Sequence, residues 1–286
     1  MWWWAIAAGC TAALLAGCFF DEHGVDWSDG GGSRADARTG RDGGGGRDGG
    51  VVDAMPGPDA RLPPDGATPL GFALTLDGKG DYVRVTRQIG DDFTIEAWIR
   101  TTDSRNGNSF WQGAPLFHAD VSGQHDDFGV TILGSHLAFG VGNPDTTVVS
   151  TSAVDTGAWV HVAVTRVKTS GILSVFVDGV RENSLVAQNR NTLNDAPSID
   201  FGGNTVNKRW LTGTIDEVRI WNVARSQSQI AATMSKRLSG NEAGLVGYWR
   251  LDDGSGTTAT DSSPVGNDGQ LQGDPTWLPS DLALTP

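Results

Sequence analysis

The chain has 286 residues, 40 of them glycine, and a formal net charge of −13. That length allows one or two domains, and a large β-sandwich can use over 200 residues alone. The acidic balance lacks the basic footprint of a nucleic-acid binder and excludes that class of partner, while neutral sugars and cations stay compatible. Both cysteines, Cys10 and Cys18, lie at the N-terminus. No disulfide can therefore staple the downstream chain, and a tetrahedral zinc site is disfavoured. Calcium, held by carboxylates and carbonyls, is the metal this composition permits.

Residues 1–18 read MWWWAIAAGCTAALLAGC. The apolar run is too short to span a bilayer and fits a signal-peptide core, although no Lys or Arg precedes it. Leu15-Ala16-Gly17-Cys18 resembles the bacterial lipobox. The resemblance implies cleavage before Cys18, acylation of that cysteine and stable anchoring by several acyl chains. Cys10, in AAGC, has too little apolar chain before it. Phe19 and Phe20 stand where a retaining Asp would lie, which points to the outer membrane of a bacterial envelope. A cleaved leader without lipid, or a buried helix, is the alternative. Residues 19–69 are rich in Gly, Asp, Arg and Pro and poor in apolar residues. Such a segment cannot offset its chain entropy, so it is expected to be a disordered linker with a reach of about 40 Å. Its Asp/Gly repeats lack the apolar position of calcium-binding nonapeptides.

From residue 70 short alternating apolar runs are separated by Gly, Asn and Asp turns, the pattern of an antiparallel sandwich. FALTLDGKGDYVRV predicts two strands around a Gly-rich turn. FTIEAWIR places Phe93, Ile95, Ala97 and Ile99 on one face, and Glu96 and Trp98 on the other. PLFHAD, FGVTIL and HLAFGVG follow as strands. WVHVAVTR alternates in the same way, and ILSVFVDG ends in the hairpin signal Asp178-Gly179. GTIDEVRIWN and GLVGYWRL complete the set. NVARSQSQIAATMSKRL reads as a helix with Ser226 as N-cap. The expectation for residues 70–286 is an all-β, two-sheet antiparallel jelly-roll sandwich with one short helix.

LDGKGDYVRV, FTIEAWIR, WVHVAVTR, FVDG, GTIDEVRIWNVARSQSQI and WRLDDGSGTTATDSSPVGNDGQL occur in this order. The series resembles the bacterial LamG-like jelly-roll domain of the concanavalin A-like lectin/glucanase superfamily, a relation of pentraxins. It covers nearly all of residues 70–284. The resemblance implies that Trp159 and His161 form a W-x-H pattern, with Trp159 packed between sheets and His161 internal. Trp221 and Trp249 read as core or inter-sheet packing. The first and last strands of such sandwiches often pair, so the resemblance implies that LDGKGD and SSPVGNDG meet. Asp77, Asp81, Asp261 and Asp268 could there hold one Ca²⁺, with metal-free Asx-turns as the alternative. GGNTVNKRW stands where pentraxins carry an acidic cluster, so their double-calcium site is not expected.

Sugar binding needs aromatic platforms beside polar groups. Trp111, in NGNSFWQG, and Trp210, in NKRW, are the loop platforms, each alternatively a lid over the core. Asp126, Asp127 and Asn204 could supply hydrogen bonds, and Glu96 with Trp98 a further outer patch. Glycoside hydrolysis needs two carboxylates flanking the bond. FTIEAWIR offers only Glu96, and strict alternation puts Asp216 and Glu217 on opposite faces, so catalysis is not expected. The reading is a lipid-anchored envelope protein that binds extracellular or envelope glycans or a protein partner. A structural or assembly protein of the envelope is the alternative, and a glycoside hydrolase the third possibility.

Overall fold

The computed structural model describes residues 70–286, so Cys18 and the linker lie outside the described residues. The strands in chain order begin with β1 (Phe72–Asp77), β2 (Tyr82–Thr86), β3 (Phe93–Thr101), β4 (Ala114–Ala119), β5 (Phe128–Leu133) and β6 (His136–Val141). They continue with β7 (Thr146–Ala153), β8 (Val160–Val167), β9 (Ile172–Val177), β10 (Val180–Val186), β11 (Ser198–Phe201), β12 (Gly203–Asn204) and β13 (Arg209–Trp210). β14 (Thr212–Trp221), helix α1 (Gln227–Thr233), β15 (Leu245–Trp249), β16 (Thr258–Ala259), β17 (Gly269–Gln272) and β18 (Thr276–Pro279) close the domain.

Two antiparallel sheets of eight strands face each other. Sheet A runs β10-β9-β8-β3-β14-β1-β18, with β15 continuing beside β14 where β1 stops. Sheet B runs β16-β17-β2-β11-β4-β5-β6-β7. The period-2 alternation of each strand sends one set of side chains into a shared core. Phe93, Ile95, Ala97 and Ile99 go inward as the alternation predicts. Phe93 packs against Phe128 and Phe139, with ring centroids 5.0 and 5.9 Å apart. Trp249 lies between the sheets, its ring edge-on to Phe201 at 5.0 Å. Asp178 and Gly179 both adopt positive φ, the backbone of a tight two-residue hairpin, and join β9 to β10.

Sheet edges need protection from further pairing. Glu182 on β10 accepts the free N–H groups of Thr151 and Ser152 on β7 at 2.7 and 2.8 Å, which ties the two edges together.

The outer face of sheet A is covered by α1 and the chain that follows it. Ser226 caps the helix in a reciprocal capping box with Gln229. The helix spans Gln227–Thr233, shorter than the 222–238 stretch the sequence suggested. The reason lies beneath it: Arg219, 1 % exposed, donates to the carbonyls of Thr233 and Lys236 at 3.0 and 2.6 Å and so takes acceptors at the helix end.

This covering corrects three expectations. Glu96 and Trp98 do face away from the core, but they form no exposed patch: Glu96 is fully buried, bonded to Trp221 and Arg225, and the Trp98 indole donates to Met234. Asp216 and Glu217 share the outer face, because β14 bulges between Asp216 and Arg219 with Glu217 at φ 54. The extra residue of a bulge breaks the alternation. Trp159 is half-buried at a rim and not between the sheets; it stacks on Arg100 at 4.7 Å and donates to Asp281. His161 is internal as expected, and burial pushes it down to about 3, so it is neutral.

Candidate functional site

Three loops meet over the outer face of sheet B. The first, residues 102–113, folds back across the sheet because two glycines leave a seat for it. Gly129 and Gly140 face each other on β5 and β6, and the Phe110 ring fills the space their side chains would occupy. A Cβ at Gly140 would lie 2.5 Å from that ring, and one at Gly129 2.7 Å from it. Gln112 accepts from the backbone of Asn108 and Ser109, which fixes the turn. Trp111 is thereby held beside the buried Phe110, and its indole N–H donates to Asp145 at 3.1 Å.

The second loop follows the short hairpin of β12 and β13. Asn204 and Asn207 both donate to Asp120 Oδ2, at 2.7 and 2.9 Å. The Asn207 N–H donates to Asn204 Oδ1 at 3.0 Å, which fixes the amide orientation. Asn204 Nδ2 then lies 3.2 Å from His118 Nδ1. Burial pushes His118 down to about 3, in keeping with a neutral ring. The third loop, residues 120–127, closes on itself where Val121 donates to Asp127 Oδ2 at 2.9 Å.

Between these loops runs an open cleft of about 280 Å³, lined by Trp111, Asp120, Asp127, Asp145, Val206 and Asn207. A second cleft of about 250 Å³ adjoins it, with Arg84, His118 and Asp200 in its walls. Asp120, Val121 and Val206 border both. Acceptors dominate the first cleft, and an aromatic face stands at its mouth.

Burial pushes Asp127 up to about 7, and the neighbouring charges of Asp120 and Asp145 add to the shift. Asp120 is also raised, again chiefly by burial. Under sheet A's cover, Asp216 is pushed up to about 8 by burial and then by the charges of Glu217 and Asp252. An unfolded Asp titrates near 3.9, so from about pH 4 upward the folded chain keeps protons the unfolded chain has released. The contribution of these two groups to stability therefore falls as pH rises through that window and levels off above the folded values, about 7 for Asp127 and about 8 for Asp216. Below about pH 6.5 the buried neutral His118 and His161 oppose this trend, because their unfolded rings bind protons that the folded ones, at about 3, do not. Urea unfolding midpoints should therefore decline between about pH 6.5 and 8, and Asp127→Asn and Asp216→Asn should each flatten the decline. A wild-type midpoint that climbs across this range would contradict the assignment.

The sequence-based candidates fall into two groups. Trp111 and Asp127 line the cleft, and Asn204 holds its floor through Asp120. Asp126 is structural instead: its carboxylate accepts from Asn143, Asn189 and Asn191. Trp210 is half-buried with its indole N–H enclosed, and is not part of the cleft walls. Asp120, Asn207 and Val206 were missed. Asp120 ends the PLFHAD run, and an acid at a strand end beside a loop Trp was the available signal.

The four turn aspartates do not form one cluster. Terminal strands do pair, β1 with β18 and β2 with β17. The antiparallel register, however, puts Asp81 against Asp274 at one end of the β2–β17 ladder and Asn267 against Thr86 at the other. Five residues of strand separate these ends by about 16 Å. Asp77 and Asp81 form one turn, and Asp261 and Asp268 another, their carboxylates accepting backbone N–H groups. Among the described residues no three His, Cys, Asp or Glu side chains converge as a metal site.

The architecture is a laminin-G-type jelly roll. Residues 77–231 match the Laminin_G_3 model of the Concanavalin A-like lectin/glucanases superfamily, and the chain belongs to this family. A structure from Bacteroides ovatus, of a protein to which carbohydrate binding has been attributed, is similar in fold with a TM-score of 0.58 and 20% identity. The similarity covers 77% of this chain and 62% of that one. Adhesion G-protein coupled receptor V1 of Danio rerio is 25% identical over 147 residues, 50% of this chain and 2% of the receptor. Pappalysin-1 of Mus musculus is 22% identical over 198 residues, 59% of this chain and 11% of that protein. The chain thus spans a small part of the length of both relatives.

Proposed function

We propose that this chain is a non-catalytic glycan-binding module held at the bacterial envelope by lipid on Cys18. The observation that carries the reading is Trp111, fixed by Asp145 at the mouth of a cleft walled by Asp120, Asp127 and Asn207. An apolar sugar face can stack on the indole while its hydroxyls donate to the carboxylates, the division of labour expected of a small-ligand site. The acidic lining disfavours uronates and sialic acids and favours neutral sugars. The attributed carbohydrate binding of the Bacteroides ovatus protein is consistent with this reading.

Two observations weigh against hydrolysis. Asp216 and Glu217, the outer-face pair, are 4 % and 1 % exposed and offer no substrate access. Glu96, fully buried and bonded to Trp221 and Arg225, is equally closed to substrate.

The test is a glycan array of neutral and acidic oligosaccharides probed with the purified protein. Binding should concentrate on neutral glycans, and Trp111→Ala should weaken it by about 2 kcal/mol, roughly thirtyfold, with an unchanged melting temperature. An empty array beside a specific protein partner in pull-downs would favour the protein-contact alternative. For the anchor, Cys18→Ala should abolish palmitate labelling and release the protein from membranes; labelling that persists would refute lipidation there.

A further inference from the structure

The two clefts lie side by side over sheet B. Arg84 faces Asp200 across β2 and β11, and Asp200 faces His118 across β11 and β4. His118 faces Gly129 on β5, and Gly129 faces Gly140 on β6. These residues form a single row perpendicular to the strands. Four strand spacings separate Arg84 from Gly140, a span of about 19 Å. Phe110 roofs the glycine end of the row and carries Trp111 with it. Asp120, Val121 and Val206 border both clefts, so the two adjoin along this shared rim.

The chemistry changes from one cleft to the other. The Trp111 end offers a π face and carboxylate acceptors. The Arg84 end offers a donor: Nε and Nη2 hold Asp200 at 2.7 Å each, and the side chain is 43 % exposed. Nη1 makes no hydrogen bond within the described residues and is left for a ligand hydroxyl. A single pyranose cannot bridge these ends, and a short oligosaccharide can. Hydroxyls that both donate and accept suit the two ends in turn.

We infer that the joined clefts form one trough that takes an internal stretch of an extended neutral polysaccharide, several sugar units long, rather than a terminal sugar. This rests on the glycan reading above. Both clefts are open rather than enclosed, so a chain can enter at one end and leave at the other.

The experiment is calorimetric titration of the whole protein with linear oligosaccharides of one to eight units derived from cellulose, β-1,3-glucan, xylan, mannan and arabinan. Each is compared with its end-reduced form. Affinity for the recognised series should rise at least tenfold between two and five units, and end reduction should leave it unchanged. Trp111→Ala should weaken every length. Ser198→Arg, which narrows the Arg84 end, should weaken five units and longer about tenfold and leave the disaccharide unaffected. A melting curve on each variant separates misfolding from lost contacts. Length-independent affinity, or binding abolished by end reduction, overturns the trough while leaving glycan binding intact. No binding by any oligosaccharide or parent polymer overturns the glycan reading itself.

Discussion

Replacing Arg219 with methionine is expected to lower the unfolding free energy by about 3–5 kcal/mol, the cost of orphaning a buried charge partner. Arg219 is 1 % exposed and donates to Glu217 at 2.8 Å. It also faces the Tyr248 ring at 5.4 Å and holds two carbonyls at the end of α1. Without it Glu217 keeps the Tyr248 hydroxyl, at 2.6 Å, and the more distant Arg237, 3.8 Å away and half-buried, as its remaining charged support. Glu96, whose carboxyl is already raised by burial, loses a stabilising charge nearby. A second substitution distinguishes orphaned charge from lost packing. Arg219→Met combined with Glu217→Gln should recover part of the loss, because a neutral pair carries a smaller desolvation cost. Denaturant unfolding of both variants checks this; equal stabilities for the single and double variants would contradict it.

The second large effect concerns the C-terminal segment. The family match ends at residue 231, but the fold does not. Residues beyond it supply β15 against β14, β17 against β2 and β18 against β1. They also place Trp249, Leu251 and Ala259 in the central core. Loss of a buried Trp alone costs about 3–5 kcal/mol, and whole domains carry about 5–15 kcal/mol. Removing the segment also bares several strand edges and uncovers the ionic layer on sheet A. A chain ending at residue 231 is therefore expected to show no cooperative melting transition. A transition within a few degrees of the full chain would mean the matched region folds alone.

The legible part of this protein was its strong alternation. Phe93, Ile95, Ala97 and Ile99 of one strand and Val160, Val162 and Val164 of another give unbroken apolar alternation, and their hidden outer faces did not blur that signal. β7 and β10 escaped notice because both are polar edge strands, TTVVSTSA and VRENSLV, with much of their surface exposed. The Glu217 bulge was invisible because a single residue in left-handed backbone cancels the alternation rule only locally. The expected meeting of the two acidic turns failed on register: pairing of terminal strands was foreseen, but pairing alone does not bring the turns at opposite ladder ends together.

For the cleft, Trp111 and Asp127 were readable as a loop aromatic and a loop acid. Asp120 and Asn207 were not, because they meet across 87 residues of sequence and only the β12–β13 hairpin brings them together. Asp126 was chosen beside Asp127 on composition. The fold spends it on three asparagine side chains, a role that depends on loops far away in the chain.

The central claim is that the Trp111 cleft binds sugar. A crystal structure of the protein grown with a neutral oligosaccharide selected by the array tests it most directly. The expected result is a sugar ring stacked on Trp111, with hydroxyls on Asp120 and Asn207 and the chain continuing toward Arg84. Sugar seated elsewhere, such as on the Trp159 rim, with this cleft unoccupied, would contradict it.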